Sequence, residues 1–182
     1  MAVIGVVGPH GEGKTYLMVD WAFSERERDP DVAVYSNIPS LHLPGKGPVY
    51  YMKRWPEDFA AARDGLVLID EINLVMPGRL WERIPPEMLY AIAYLRKFRL
   101  RLMWTAQHID RVDKVVREIT TELWVPANYR RFGFFAYHKM QGPKLDKPAG
   151  WGFRSARREV DAAYDTYETV DVASFLARRS RK

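Results

Sequence analysis

Residues 8–15 read Gly-Pro-His-Gly-Glu-Gly-Lys-Thr, matching the spacing G-x-x-x-x-G-K-[ST] at every fixed position. Glycines let such a loop curl so that successive backbone N–H groups point inward at phosphate oxygens. The lysine of this pattern reaches the β- and γ-phosphates of a nucleotide, and the hydroxyl that follows it ligates Mg²⁺. The pattern therefore predicts nucleotide contacts from Gly8, Pro9, His10, Gly11, Glu12, Gly13, Lys14, Thr15 and Tyr16, with Lys14 on the phosphates and Thr15 on the metal. His10 reads as a partly exposed loop residue rather than a catalytic group. A glycine-rich turn with an incidental lysine is the bland alternative. The apolar run before the loop and the helix-like run after it weigh against that alternative.

A phosphate loop needs an acid across the sheet to hold the metal, and Leu-Val-Leu-Ile-Asp-Glu at 66–71 supplies one. Asp70 is the expected Mg²⁺ partner. Glu71 is suited to activating or positioning a water for attack on the γ-phosphate. A small-molecule kinase has no need of such a glutamate, and no Asn-Lys-x-Asp guanine-reading pattern is present. ATP hydrolysis is the expected reaction. Gln107, at the exit of Leu-Arg-Leu-Met-Trp-Thr-Ala (100–106), is a candidate sensor of the γ-phosphate or orienter of water; a capping or core-edge glutamine is the bland alternative. His108 reads as a packing or capping residue.

These residues need strands to present them. Residues 2–7, 31–39, 66–70 and 100–107 read as strands, the first and third of them apolar throughout up to their ends, and 14–28, 56–65, 87–98 and 109–119 as helices. Two late strands, Thr-Glu-Leu-Trp-Val-Pro and Phe-Gly-Phe-Phe-Ala-Tyr-His-Lys-Met, are joined by Ala-Asn-Tyr-Arg-Arg as a hairpin. Residues 141–152 read as irregular, and a short helix is expected in the tail. Alternating strands and helices predict an α/β fold with a mostly parallel central sheet flanked by helices. Ligands bind such sheets at the carboxyl ends of the strands, so Gly8, Asp70 and Gln107 fall on one rim. The strand at 100–106 is expected between the loop strand and the acidic strand, the additional-strand arrangement of P-loop NTPases. A core over residues 1–150 is expected, with a C-terminal extension at 151–182 that packs on it or on a neighbour and ends in a basic tip.

The chain of 182 residues is long enough for one such domain. It has no cysteine, which excludes disulfide and thiolate chemistry. Lys and Arg exceed Asp and Glu by 28 to 23, a net charge of +5 compatible with a polyanionic partner. No signal peptide or transmembrane run is read in it, and a soluble, intracellular protein is expected.

The P-loop, Val-Tyr-Ser-Asn-Ile-Pro (34–39), Leu-Val-Leu-Ile-Asp-Glu-Ile-Asn-Leu-Val-Met-Pro-Gly-Arg (66–79), the stretch 95–120 containing Thr-Ala-Gln, and Tyr-Asp-Thr-Tyr-Glu (164–168) occur in this order. In these the chain resembles the zonular-occludens-toxin-like (Zot) ATPases of filamentous phages, and the wider FtsK–HerA group with its viral packaging ATPases. The resemblance implies an oligomeric ATPase, a ring, that moves DNA or drives virion assembly. It implies a nucleotide between subunits, Asp70 and Glu71 as the acidic pair, and Gln107 as sensor. Filamentous-phage relatives carry a transmembrane helix after this domain and this sequence shows none, which favours a packaging motor over membrane-anchored extrusion.

A site shared between subunits requires a cation in trans, and Arg79 and Arg83 in the loop after the acidic strand are candidates, with Arg96 and Arg99 behind them. Each could equally be a solvated surface arginine. Arg-Lys-Phe-Arg-Leu-Arg (96–101) reads as a phosphate-tracking stripe or as a helix end complementing its dipole. Asn-Tyr-Arg-Arg-Phe-Gly-Phe-Phe (128–135) reads as a DNA loop or as paired strands with an aromatic core face. Any DNA contact is expected to be backbone-directed and not sequence-specific, with capsid or virion proteins as further partners. The expected function is a motor that packages viral DNA into a preformed capsid. The alternatives are an assembly and extrusion ATPase acting on coat and membrane proteins, and a small-molecule phosphotransferase.

Overall fold

A computed structural model describes residues 2–55, 57–76, 86–142 and 144–166. Eight strands form one sheet in the order β3-β2-β4-β5-β1-β6-β7-β8. They are β1 (Val3–Val7), β2 (Ala33–Ser36), β3 (Val49–Tyr51), β4 (Gly65–Ile69), β5 (Leu100–Ala106), β6 (Glu122–Tyr129), β7 (Phe134–Gln141) and β8 (Lys147–Ser155). All pairings from β3 to β6 are parallel, and β6-β7-β8 is antiparallel. Strand β5 lies between β1 and β4, as the additional-strand arrangement requires.

The helices are α1 (Lys14–Arg28), α2 (Glu57–Ala61), α3 (Ile72–Val75), α4 (Pro86–Ala93), α5 (Lys114–Ile119) and α6 (Arg158–Asp161). Two cores result because β1, β4 and β5 are apolar on both faces. Helices α1 and α6 bury Leu17, Met18 and Val160 with Val6, Leu68 and Met103 on one side. Helices α2 to α5 bury Phe59, Ile72, Ile92 and Val116 with Val67, Ile69 and Trp104 on the other.

Three expectations change. The helix expected over 87–98 stops at Ala93; Arg99 takes a positive φ of 53°, and its neighbour Leu100 N–H returns to the Leu95 carbonyl as the chain enters β5. The helix expected over 109–119 is broken at Asp113, whose carboxylate accepts from Val115 N–H and starts α5 there, leaving Ile109–Arg111 as a 3₁₀ turn. The stretch 141–152, expected to be irregular, supplies most of β8 and turns the late hairpin into a three-stranded meander that runs past position 150. Pro148 is tolerated because β8 is an edge strand, and Gly152 because Tyr137 fills the space a Cβ would need.

Candidate nucleotide-binding site

The carboxyl ends of β1, β5 and β4 stand side by side, and the loop after each carries one expected site element. The P-loop leaves β1 with Gly8 N–H donating to the Ala106 carbonyl (3.3 Å), which ties its start to the end of β5. Gly11 and Gly13 both have left-handed backbones, at φ 82° and 80°, a conformation that L side chains rarely adopt. Gly13 is then the residue before α1, so the positive end of a 15-residue helix points into the loop.

Lys14 is buried and spans the loop. Its Nζ donates to the Pro9 carbonyl at 3.0 Å and lies 4.0 Å from Glu71 Oε1. The Thr15 hydroxyl donates to both Asp70 oxygens, at 3.1 and 3.2 Å. Sequence positions 14, 15, 70 and 71 thus meet in one cluster.

Asp70 is held from every side. The Thr105 hydroxyl donates to its Oδ1 at 2.6 Å and in turn accepts from the Glu71 N–H at 2.9 Å. Asn37, just past β2, clamps its backbone: Asp70 N–H donates to Asn37 Oδ1, and Asn37 Nδ2 donates to the Asp70 carbonyl, both at 2.8 Å. Burial pushes the Asp70 carboxyl above its usual range, and the Thr105 and Thr15 hydroxyls and Lys14 oppose that rise. Glu71 sits at a left-handed φ of 49°, a conformation that costs free energy and is held here by its neighbours. Burial raises its pKa too; Lys14 pulls it down, the Asp70 charge pushes it up, and a hydrogen bond from Gln107 pulls it down. Its Oε2 is buried without a hydrogen-bond partner.

Gln107 stands on the same rim, and its side chain donates to Glu71. Glu12 braces the loop: it accepts from Asn128 N–H at 3.0 Å, while Asn128 Nδ2 donates to the Gly11 carbonyl at 2.8 Å. Tyr16 points away from the loop, donating to the Ser155 carbonyl, accepting from Arg157 N–H and stacking on Phe135 at 4.2 Å. His10 is exposed and close enough for its charge to act on Glu71. His108 makes no capping bond; that role belongs to Asp113.

Arg79 and Arg83 lie outside the described residues. The cluster 96–101 sits at the start of β5, the opposite end of the strand from Gln107, where Arg101 bonds Glu25 (2.5 Å) and Arg99 bonds Asp64. Sequence reasoning missed Asn37, Thr105 and Asn128. A polar Ser-Asn pair at the exit of β2, and a lone threonine inside an apolar strand, were the signals for the first two. Asn128 left none.

The family model for zonular occludens toxin (Zot) matches residues 42–149, more than half of the chain. The chain belongs to the Zot family. The match begins beyond the P-loop, so the family assignment and the phosphate-loop motif are independent observations. The fold is that of P-loop NTPases. The N-terminal domain of zonular occludens toxin from Neisseria meningitidis superposes with a TM-score of 0.60 at 18% identity, over 90% of this chain and 98% of that one. The genome-packaging NTPase B204 of Sulfolobus turreted icosahedral virus 2, in complex with ATP-gammaS, gives 0.60 at 11% identity over 86% and 96%. EssC (ATPases 2 and 3) from Geobacillus thermodenitrificans gives 0.53 at 12%, over 97% of this chain and 42% of that one. A search of curated proteins gave no match. No helix among the described residues is long and apolar enough to cross a membrane.

Burial in this Zot-family site disfavours the charge of its own acid. A carboxyl whose folded pKa is raised makes its favourable contribution below the unfolded pKa and loses it as pH rises through the folded value, so ionised Asp70 opposes folding at neutral pH. Asp70→Asn keeps an oxygen for Thr15 and Thr105 and removes that charge. The variant is expected to be more stable by about 1 kcal/mol, read as a higher urea midpoint, with ATP turnover lost.

Proposed function

We propose that this Zot-family protein is a Mg²⁺-dependent ATPase whose turnover drives movement of viral DNA during virion assembly. Family membership and the fold shared with a viral packaging NTPase support an ATPase role in phage or virus assembly. The single observation that carries the reading is the convergence of Lys14, Thr15, Asp70 and Glu71 on one rim, with the buried Glu71 Oε2 left without a partner.

The residues fit Mg²⁺. It takes hard oxygen ligands, keeps several waters and needs only one or two protein groups beside substrate phosphates. The Thr15 hydroxyl and the Asp70 carboxylate are such groups, at hydrogen-bond distance from each other. When bound, the ion neutralises charge on the phosphates. In the proposed cycle the P-loop amides and Lys14 take the phosphates, Lys14 exchanging the Pro9 carbonyl for a phosphate oxygen. Glu71 accepts the proton of the attacking water, and Gln107 holds Glu71 in place and registers loss of the γ-phosphate. Arg79 or Arg83 of a neighbouring subunit in a ring supplies the trans cation. The raised pKa of Glu71 makes it a stronger base than an ordinary glutamate.

DNA is the proposed track, and packaging into a capsid the proposed outcome. Extrusion through coat and membrane proteins is the second reading, favoured by the family match itself. Phosphate release measured with and without DNA at two salt concentrations separates them. Packaging predicts stimulation by DNA that weakens as salt rises; turnover indifferent to DNA supports a protein-directed assembly role instead.

A further inference from the structure

The meander β6-β7-β8 has two unlike faces. One carries Trp124, Phe135 and Tyr137, buried against the α1 side. The other holds a run of rings: Tyr129 stacks on Phe134 at 5.3 Å, Phe134 meets Phe153 at 6.3 Å, and Trp151 stacks on His138 at 4.8 Å. Trp151 is 61% exposed and Phe153 67%, exposures that aromatic side chains in a finished core do not have. Neither ring belongs to the core that α2 to α5 cover, which reaches the meander only at Leu123, Met140 and Leu145.

We infer that this aromatic sheet face binds single-stranded DNA, its rings stacking on unpaired bases and the basic residues around it contacting phosphates. Charge names the occupant. Residues 122–155 contain six Lys and Arg (130, 131, 139, 144, 147, 154) and two acids (122, 146), a net +4 of the chain's +5. Arg131, Lys144 and Lys147 are exposed, Arg131 at the β6–β7 tip and the lysines at the opposite end of the meander. Arg130, Lys139 and Arg154 are paired with Asp161, Glu122 and Asp20, so the exposed excess is Arg131, Lys144 and Lys147 against Asp146; a polyanion with flat apolar bases matches this basic rim and the ring-bearing face. Trp151 and Phe153 alternate on one face of β8, about 6.6 Å apart along the strand, so neighbouring bases of one strand can each meet a ring. Bases paired in a duplex are hidden from such a platform, which selects unpaired DNA.

The face is also wired to the nucleotide site. Phe135, next to Phe134 on the opposite side of β7, stacks on Tyr16 and fills the space beside Gly13, and Tyr16 bonds the end of β8 through the Ser155 carbonyl. The inference rests on the DNA-directed reading above and narrows it to one form of DNA.

Anisotropy of a labelled single strand of mixed sequence, and of its duplex, would be measured without nucleotide for the wild type, Trp151→Ala, Phe153→Ala and Trp151→Phe. Each alanine variant is expected to weaken single-strand binding roughly five- to a hundredfold. Trp151→Phe is expected to retain most of it, and phosphate release without DNA to stay at the wild-type rate in all. Unchanged single-strand affinity in both alanine variants, or wild-type affinity for duplex equal to that for single strand, would overturn the inference. So would a smaller sedimenting species in the alanine variants, which would make the face a subunit contact. Because binding is read without nucleotide, failure of ATP turnover bears on the ATPase reading alone.

Discussion

Glu71→Gln is expected to bind ATP as the wild type does and to release phosphate about 10²- to 10⁴-fold more slowly, the usual contribution of a positioned general base. The amide keeps the shape and can still meet Gln107; it removes the charge facing Lys14 but leaves the lysine and the P-loop amides free to take the phosphates. What it removes is the carboxylate that takes the proton from water in the proposed cycle. The pH dependence gives a second readout. Because burial raises the Glu71 pKa, its carboxyl stays protonated to a higher pH than an ordinary glutamate, and the acidic limb of the wild-type rate profile is expected above the usual carboxylate range. That limb should vanish in Glu71→Gln. Unchanged turnover in this variant would remove Glu71 from the chemistry.

Gly13→Ala is expected to combine a stability loss with a binding loss. A methyl there must adopt the left-handed backbone, at a cost of about 1–2 kcal/mol, and it would enter the ring of Phe135, which is itself buried and stacked on Tyr16. Overpacking of this kind adds about 1–3 kcal/mol. The sum is a large share of the ~5–15 kcal/mol that holds an ordinary domain together. Gly11→Ala is the control, since its φ is nearly the same but nothing stands within 4 Å of the added carbon. It is expected to show the backbone cost alone. Urea denaturation of both variants separates strain from clash, and equal losses in the two would show that Phe135 yields freely.

The parts of this molecule written in short-range pattern were legible in the sequence. Helix α1 begins and ends where its periodicity does, and β1, β4 and β5 announce themselves as apolar runs ending in Gly8, Asp70 and Gln107. Their common rim follows from the rule for parallel sheets, which brings Lys14, Thr15, Asp70, Glu71 and Gln107 together from the sequence alone. Long-range contacts left no such trace. Asn37 acts on Asp70 across 33 positions, and Asn128 holds Gly11 across 117. Strand β8 was hidden by its composition: Pro148, Gly150 and Gly152 read as loop, yet an edge strand needs hydrogen bonds on one side only, and Tyr137 occupies the room that Gly152 leaves. Its exposed Trp151 and Phe153 were hidden with it.

Nucleotide hydrolysis is expected where Lys14 meets Asp70 and Glu71. Phosphate release from MgATP by the purified protein beside its Lys14→Ala variant tests it most directly. Steady release by the wild type and at least a ~100-fold drop in the variant are expected, since the lysine carries the phosphate charge. Equal release by the two proteins would contradict it and place any hydrolysis outside the P-loop.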